Sequence, residues 1–293
     1  MRILLPARPP FSLSSVITSH GWMMLAPFET NEDYSILSYV YQLKSGRVIS
    51  LDIIEEDQGV CVTGANKLTS SDQEEISKSV SWMLGLDQDF SDFYALTKHE
   101  PKLKHVEAKA RGRILRSPTL FEDVVKTILS TNINWSGTIR MNTNLVSEFG
   151  KPFPGNDEKF TFPLASKLAN VEEEIIRKKT GMGYRAPFVL ELGQRVTSGE
   201  LDLESYRTAD IPKNRLHQEL LSISGVGEYA ASALLMLLGH YDTIPIDSWA
   251  KRFVSEEFYN GERIGKSEVE AVFEKWGDWK GLAYWFWGRS DPI

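Results

Sequence analysis

The chain has 293 residues and a formal net charge of -7, with 42% apolar and 25% charged residues, which is the composition of a soluble globular protein. The acidic balance counts against indiscriminate binding to nucleic acid, and a single cysteine, Cys61, allows no internal disulfide. No apolar run reaches the length of a membrane span and prolines interrupt the start, MRILLPARPPFSL, so an intracellular protein without a signal peptide is expected.

Residues 1–85 form the first region, expected to be an antiparallel β domain with a helix. The stretches 21–27, 34–43, 47–54 and 59–64 have strand composition, and Lys44-Ser45-Gly46 and residues 55–59 supply hairpin turns. Ser70-Ser71-Asp72-Gln73-Glu74 opens a helix with a polar cap and acids in its first turn. Ile76, Val80, Met83 and Leu84 continue it at helical spacing.

Residues 86–293 turn mostly helical, which makes the fold class α+β. Lys102, Lys104, Lys109, Arg111, Arg113 and Arg116 form a basic run, readable either as a local basic face or as a solvated linker. Ser117-Pro118-Thr119 then opens a helix whose buried stripe is Phe121, Val124, Val125, Ile128 and Leu129. The polar run Ser130-Thr131-Asn132-Ile133-Asn134 ends it, where Asn tolerates left-handed backbone. Residues 135–149 form the next helix, stopped by Gly150 and Pro152. A short helix after Phe162-Pro163, a turn Gly181-Met182-Gly183-Tyr184-Arg185 and an amphipathic helix over 187–198 follow. Asp210-Ile211-Pro212 caps the helix after that.

The stretch 220–252, LLSISGVGEYAASALLMLLGHYDTIPIDSWAKR, organises the rest. An apolar helix end runs into Gly225-Val226-Gly227, and a helix rich in Ala and Leu begins at Glu228. Two glycines let backbone approach a ligand closely, and the free N–H groups at the new helix start make a ready anion site. About eleven helical residues rise roughly 16 Å from the turn, and about seven extended residues can return that far. Asp247 therefore comes back near the turn, where it can cap the helix starting at Ser248, carry chemistry, or do both. After it, Trp249, Phe253 and Val254 are expected to face inward, and the C-terminal stretch 276–287 is strongly aromatic.

Leu-x-x-Ile-x-Gly-Val-Gly-x-x-Ala-Ala followed by Ile-Pro-Ile-Asp-Ser-Trp resembles the helix-hairpin-helix (HhH-GPD) DNA glycosylases, specifically their 3-methyladenine glycosylase II and 8-oxoguanine glycosylase-like branch. The likeness extends loosely over 86–288. It implies an N-terminal antiparallel sheet, giving support and part of a DNA-facing rim, then a helical core of two lobes with the active site between them. It implies a base excision repair enzyme acting as a monomer on double-stranded DNA with damaged bases, with Asp247 as the catalytic carboxylate. Gly225, Val226, Gly227, Glu228, Asn132 and Arg185 fall at DNA-contacting positions, Asn132 at the place that fills the hole left by a flipped nucleotide. Tyr229, Tyr284 and Trp285 are the expected base-pocket residues.

Lyase-competent relatives carry a lysine where this chain has Tyr229, and a phenol forms no imine, so the resemblance implies a monofunctional glycosylase. Tyr284 stands where 8-oxoguanine enzymes carry a glutamine, which favours alkylated purines. An 8-oxoguanine glycosylase/lyase, with Lys251 one turn beyond Asp247, and a noncatalytic DNA-binding protein are the alternatives. No cofactor is required. A monovalent cation, Na+ or K+, held by the backbone carbonyls of Leu221, Ile223 and Val226 is a family possibility. One cysteine excludes the four-cysteine iron–sulfur cluster of another branch.

Overall fold

Alternating apolar residues between 28 and 63 build the sheet. The computed structural model describes residues 2–64, 67–208 and 210–288. In it β1 (Arg2–Pro6), β2 (Phe28–Thr30), β3 (Ile36–Gln42), β4 (Val48–Glu56) and β5 (Gly59–Thr63) form one five-stranded antiparallel sheet ordered β1-β5-β4-β3-β2. Register runs Ile36↔Ile54 to Gln42↔Val48 between β3 and β4, which turns Leu37, Tyr39, Leu51 and Ile53 to the core. The expected hairpins at Lys44-Ser45-Gly46 and at 55–59 join β3 to β4 and β4 to β5; Gly46, at φ +84°, serves the first.

Residues 21–27 depart from the strand expected there. Gly21–Met24 winds as a 3-10 turn. A Cβ on Gly21 would overlap the Trp135 ring, so the turn lies where only bare backbone fits beneath that indole.

Two helices belong to this region, α1 (Leu13–Ile17) and α2 (Ser70–Leu84). The expected polar start of α2 is a full capping box: Thr69 Oγ1 accepts from the Asp72 N–H, and the Asp72 carboxylate accepts from the Thr69 N–H. The helical part follows as α3 (Ser91–Thr97), α4 (His105–Ala108), α5 (Leu120–Ser130) and α6 (Trp135–Phe149). A small hairpin of β6 (Pro152–Phe153) and β7 (Asn156–Phe160), with no strand signal in the sequence, comes next. The remaining helices are α7 (Ala165–Ala169), α8 (Glu173–Thr180), α9 (Ala186–Ser198), α10 (Lys213–Leu221), α11 (Glu228–Leu237), α12 (Ser248–Phe258), α13 (Lys266–Phe273) and α14 (Lys280–Phe286). Within the expected cap Asp210-Ile211-Pro212, it is Pro212, with no side-chain bond, that stands at the N-cap of α10.

Helix α5 is buried on all sides, so its polar residues need partners inside the protein. Lys126 Nζ donates to Glu122 Oε1 at 2.7 Å and to Ser117 Oγ at 3.2 Å. The Tyr39 hydroxyl donates to Glu122 Oε2 at 2.6 Å, and the ammonium stands 4.4 Å from the Phe28 ring centre. A buried ion pair is tolerated only when its remaining donors and acceptors are satisfied. Here Ser117 supplies one such group and Tyr39 of β3 another, and with the Phe28 ring of β2 they pin the sheet to α5.

The basic run is neither a DNA face nor a solvated linker at its arginines. Arg111, Arg113 and Arg116 are all buried. Arg113 donates to the carbonyls of Gly85 (2.9 Å), Pro10 (2.8 Å), Arg8 (2.6 Å) and Gln88 (3.0 Å), and the Arg116 guanidinium lies 4.3 Å over the Trp82 ring. A guanidinium has five donors in one plane, which suits it to gather carbonyls from separate segments. One apolar core runs from Leu13 to Trp287 across these contacts.

Candidate active site

Helices α10 and α11 form the expected hairpin. The Val226 N–H donates to the Ile223 carbonyl at 3.0 Å and closes the turn. The two glycines do different work. Gly225 sits at φ +86°, and a Cβ there would come 2.6 Å from Phe188 Cδ2, so the turn is pressed onto α9. Gly227 has φ -97° and no atom within 4 Å of where a Cβ would stand. Nothing inside the protein needs that residue bare; its open side faces outward. No side chain caps α11, which leaves its first N–H groups for a ligand.

The turn lines a groove of about 860 Å³ that runs past Thr131, Asn132 and Ile133, then Tyr184 and Phe188, to Tyr229 and Asp247. Asn132 is exposed at φ +49°, at the junction of α5 and α6. Asn134 caps α6, its Oδ1 accepting from the Gly137 N–H at 2.9 Å, which fixes the junction's exit.

Asp247 lies at the mouth of a second space. It caps α12, Oδ1 accepting from the Ala250 N–H at 2.7 Å. It is half-buried and makes no ion pair among the described residues. Capping uses one lone pair of one oxygen, so the carboxylate keeps acceptor capacity toward the cleft. Asp247, Tyr229, Ile133 and Ser130 line both the groove and an aromatic cavity of about 610 Å³. Burial, and then the charge of Asp247, push the Tyr229 hydroxyl up to about 12, so the phenol stays protonated beside the carboxylate.

Six rings surround that cavity: His20, Trp22, Trp135, Tyr229, Trp249 and Trp285. Trp22 Nε1 donates to Asp123 Oδ1 at 2.8 Å, and Trp285 Nε1 donates to the Ser19 carbonyl at 2.9 Å. Burial pushes the Asp123 carboxyl up to about 7. Trp249, expected to face inward, is 40% exposed and stacks on Phe253 with ring centres 5.3 Å apart and planes 5° apart. Neither the cavity nor the groove has a lysine in its lining, and Lys251 lies exposed on α12.

Two expected site residues belong elsewhere. Tyr284 is buried, set edge-on against Phe253 and Phe273, because the face of α14 it occupies turns to α12 and α13 while its neighbour Trp285 turns to the cavity. Arg185 is buried rather than free for a phosphate. Its Nη2 donates to the Thr131 carbonyl and its guanidinium lies 4.5 Å from the Tyr184 ring centre. It braces the junction that presents Asn132.

The sequence reading missed His20, Trp22, Met24 and Trp135, which contribute to the cavity from the N-terminal 3-10 turn and the start of α6. The available signal was the Gly21-Trp22 pair, glycine beside a large aromatic outside any clear periodicity.

Residues 125–278 match the model of the HhH-GPD superfamily base excision DNA repair proteins. A DNA-3-methyladenine glycosylase of Bacillus subtilis is 25% identical over 220 residues, covering 73% of this chain and 72% of that one. Among solved structures, a 3-methyladenine DNA-glycosylase from Archaeoglobus fulgidus superposes with a TM-score of 0.76 at 20% identity, covering 98% of this chain and 97% of the other. A Clostridium acetobutylicum 8-oxoguanine glycosylase/lyase in complex with double-stranded DNA superposes with a TM-score of 0.65 at 21% identity, covering 90% and 97%.

Proposed function

This chain belongs to the HhH-GPD superfamily of base excision DNA repair proteins, and from that premise we propose that it is a monofunctional DNA glycosylase that removes alkylated purines from double-stranded DNA. The observation that carries the reading is Asp247, half-buried and not ion-paired among the described residues, where the groove and the aromatic cavity meet.

A flipped nucleotide fits this arrangement part by part. The turn at Gly225-Val226-Gly227 and the N–H groups of Glu228 and Tyr229 grip a backbone phosphate. Asn132 fills the gap in the stack and offsets part of the cost of flipping. The base enters the cavity, and the deoxyribose lies beside Asp247. As the N-glycosidic bond breaks, positive charge develops on the sugar. The carboxylate stabilises that charge and orients the attacking water.

Tyr229 in place of a lysine, and the absence of lysine from both linings, support water as the nucleophile. The tryptophan-rich wall favours a cationic base such as an N-alkylated purine, whose positive charge is attracted to aromatic faces. A monovalent cation, where one binds, would sit at the hairpin turn on the carbonyls of Leu221, Ile223 and Val226. The Ile223 oxygen keeps one lone pair after accepting from Val226. One chain supplies every residue in the scheme, so a monomer suffices.

The test is base release from a methylated duplex, with strand nicking and borohydride trapping scored separately. Wild type should release 3-methyladenine without a trapped adduct. Asp247→Asn should stop release while duplex binding persists. Full activity in that variant would overturn the mechanism, and a borohydride-trapped adduct would restore the lyase alternative.

A further inference from the structure

One polar ring in the lining of the cavity is His20, on the N-terminal segment. Its Nε2 lies 2.6 Å from the Leu115 carbonyl oxygen. A carbonyl only accepts, so Nε2 carries the proton and donates. In the neutral ring that leaves Nδ1 as an acceptor with no hydrogen to give. Burial pushes the ring down to about 4, so the neutral form is the one present at ordinary pH.

The ring is held on both sides. Trp22 lies 4.6 Å away between centroids and Trp285 stands edge-on at 6.2 Å. Trp22 is in turn fixed by Asp123, and Trp285 by the Ser19 carbonyl. Nδ1 accepts from no described residue. The ring belongs to the lining of the cavity. Two hydroxyls of the lining give their protons to the backbone: Thr127 Oγ1 donates to the Asp123 carbonyl at 2.7 Å, and Ser130 Oγ donates to the Thr127 carbonyl at 2.8 Å.

We propose that His20 is a specificity-determining residue: its Nδ1, fixed as an acceptor by the Leu115 bond, selects flipped bases that present an N–H donor to the back of the cavity. This rests on the glycosylase reading above. Aromatic walls accept any flat base, so an acceptor held in one direction, as Nδ1 is, can discriminate among them. 3-Methyladenine has an exocyclic amine and hypoxanthine a ring N–H. Ethenoadenine has neither, because the etheno bridge occupies both nitrogens. A base lacking the donor would leave Nδ1 desolvated and unpaired, a penalty equivalent to roughly tenfold or more in rate.

The experiment compares single-turnover release of hypoxanthine and of ethenoadenine from otherwise identical duplexes, by wild type, His20→Phe and His20→Gln. The ratio of the two rates does not depend on how much of a variant is folded. Wild type should favour hypoxanthine, His20→Phe should reduce that preference roughly tenfold, and His20→Gln, which keeps a donor for Leu115 and an acceptor for the base, should restore most of it. An unchanged ratio in His20→Phe, or a wild type that releases ethenoadenine equally well, overturns the role of His20. If wild type releases no base from any duplex, methylated DNA included, it is the glycosylase reading that fails.

Discussion

The two sides of the aromatic cavity are assembled in different ways. On one side stand Tyr229, Ala233, Met236, Leu237, Asp247 and Trp249, all from α11, α12 and the return between them. On the other stand His20, Trp22, Thr127, Trp135 and Trp285, gathered from four places spread over most of the chain. The first side also carries the hairpin. Local chain geometry therefore fixes the distance from hairpin turn to carboxylate, while packing over long sequence separations shapes the rest of the cavity.

The sharpest way to break this division is Asp247→Asn. It keeps a capping oxygen for Ala250 but removes the charge, so base release should fall on the order of a hundredfold to a thousandfold, measured in single turnover, with the fold intact. Next come the two glycines of the turn. Gly225→Ala places a Cβ at φ +86° against Phe188 and should cost about 1–3 kcal/mol in urea unfolding. Gly227→Ala meets no protein atom, so its unfolding midpoint should stay put while duplex affinity drops. A large stability loss at Gly227 would show that its bare face serves the fold and not a ligand.

On the long-range side, Trp22→Phe keeps an aromatic wall but deletes the donor to Asp123. The expected loss is about 1 kcal/mol in urea unfolding. Subtler still is pH. The Asp123 carboxyl is raised to about 7, so the folded state holds a proton that the unfolded state releases near 4. Its contribution to stability is full below that lower value and is lost as pH rises through about 7. The His20 ring is lowered to about 4; its contribution is present above 6.5 and lost as pH falls toward 4. Between pH 4 and 6.5 the two slopes oppose each other. Asp123→Asn should expose the His20 slope, stability rising with pH by up to about 1.4 kcal/mol per unit relative to wild type. Parallel profiles for the two proteins would remove Asp123 as a titrating group.

How much was legible follows the same division. The hairpin, the Ala/Leu helix and the return to Asp247 could be placed because their geometry depends on spacing within thirty or so residues. Strands β3 to β5 and the α2 cap were legible for the same reason. Residues 21–27 were misread because a tryptophan 114 positions beyond Gly21 decides their conformation. The arginines of 111–116 looked solvated because a sequence does not say which carbonyls a guanidinium will meet. Tyr284 and Trp285 are adjacent and aromatic; only the packing of α14 on α12 and α13 tells which of them reaches the cavity.

Arg113 bears on any attempt to shorten the protein. Three of its four carbonyl partners, on Arg8, Pro10 and Gly85, lie ahead of the helical region. A fragment starting at Leu86 would strand that cation inside an apolar core and strip away the tryptophan and histidine that line the cavity. Such a truncation would keep every residue of the family signature and yet be a poor minimal enzyme.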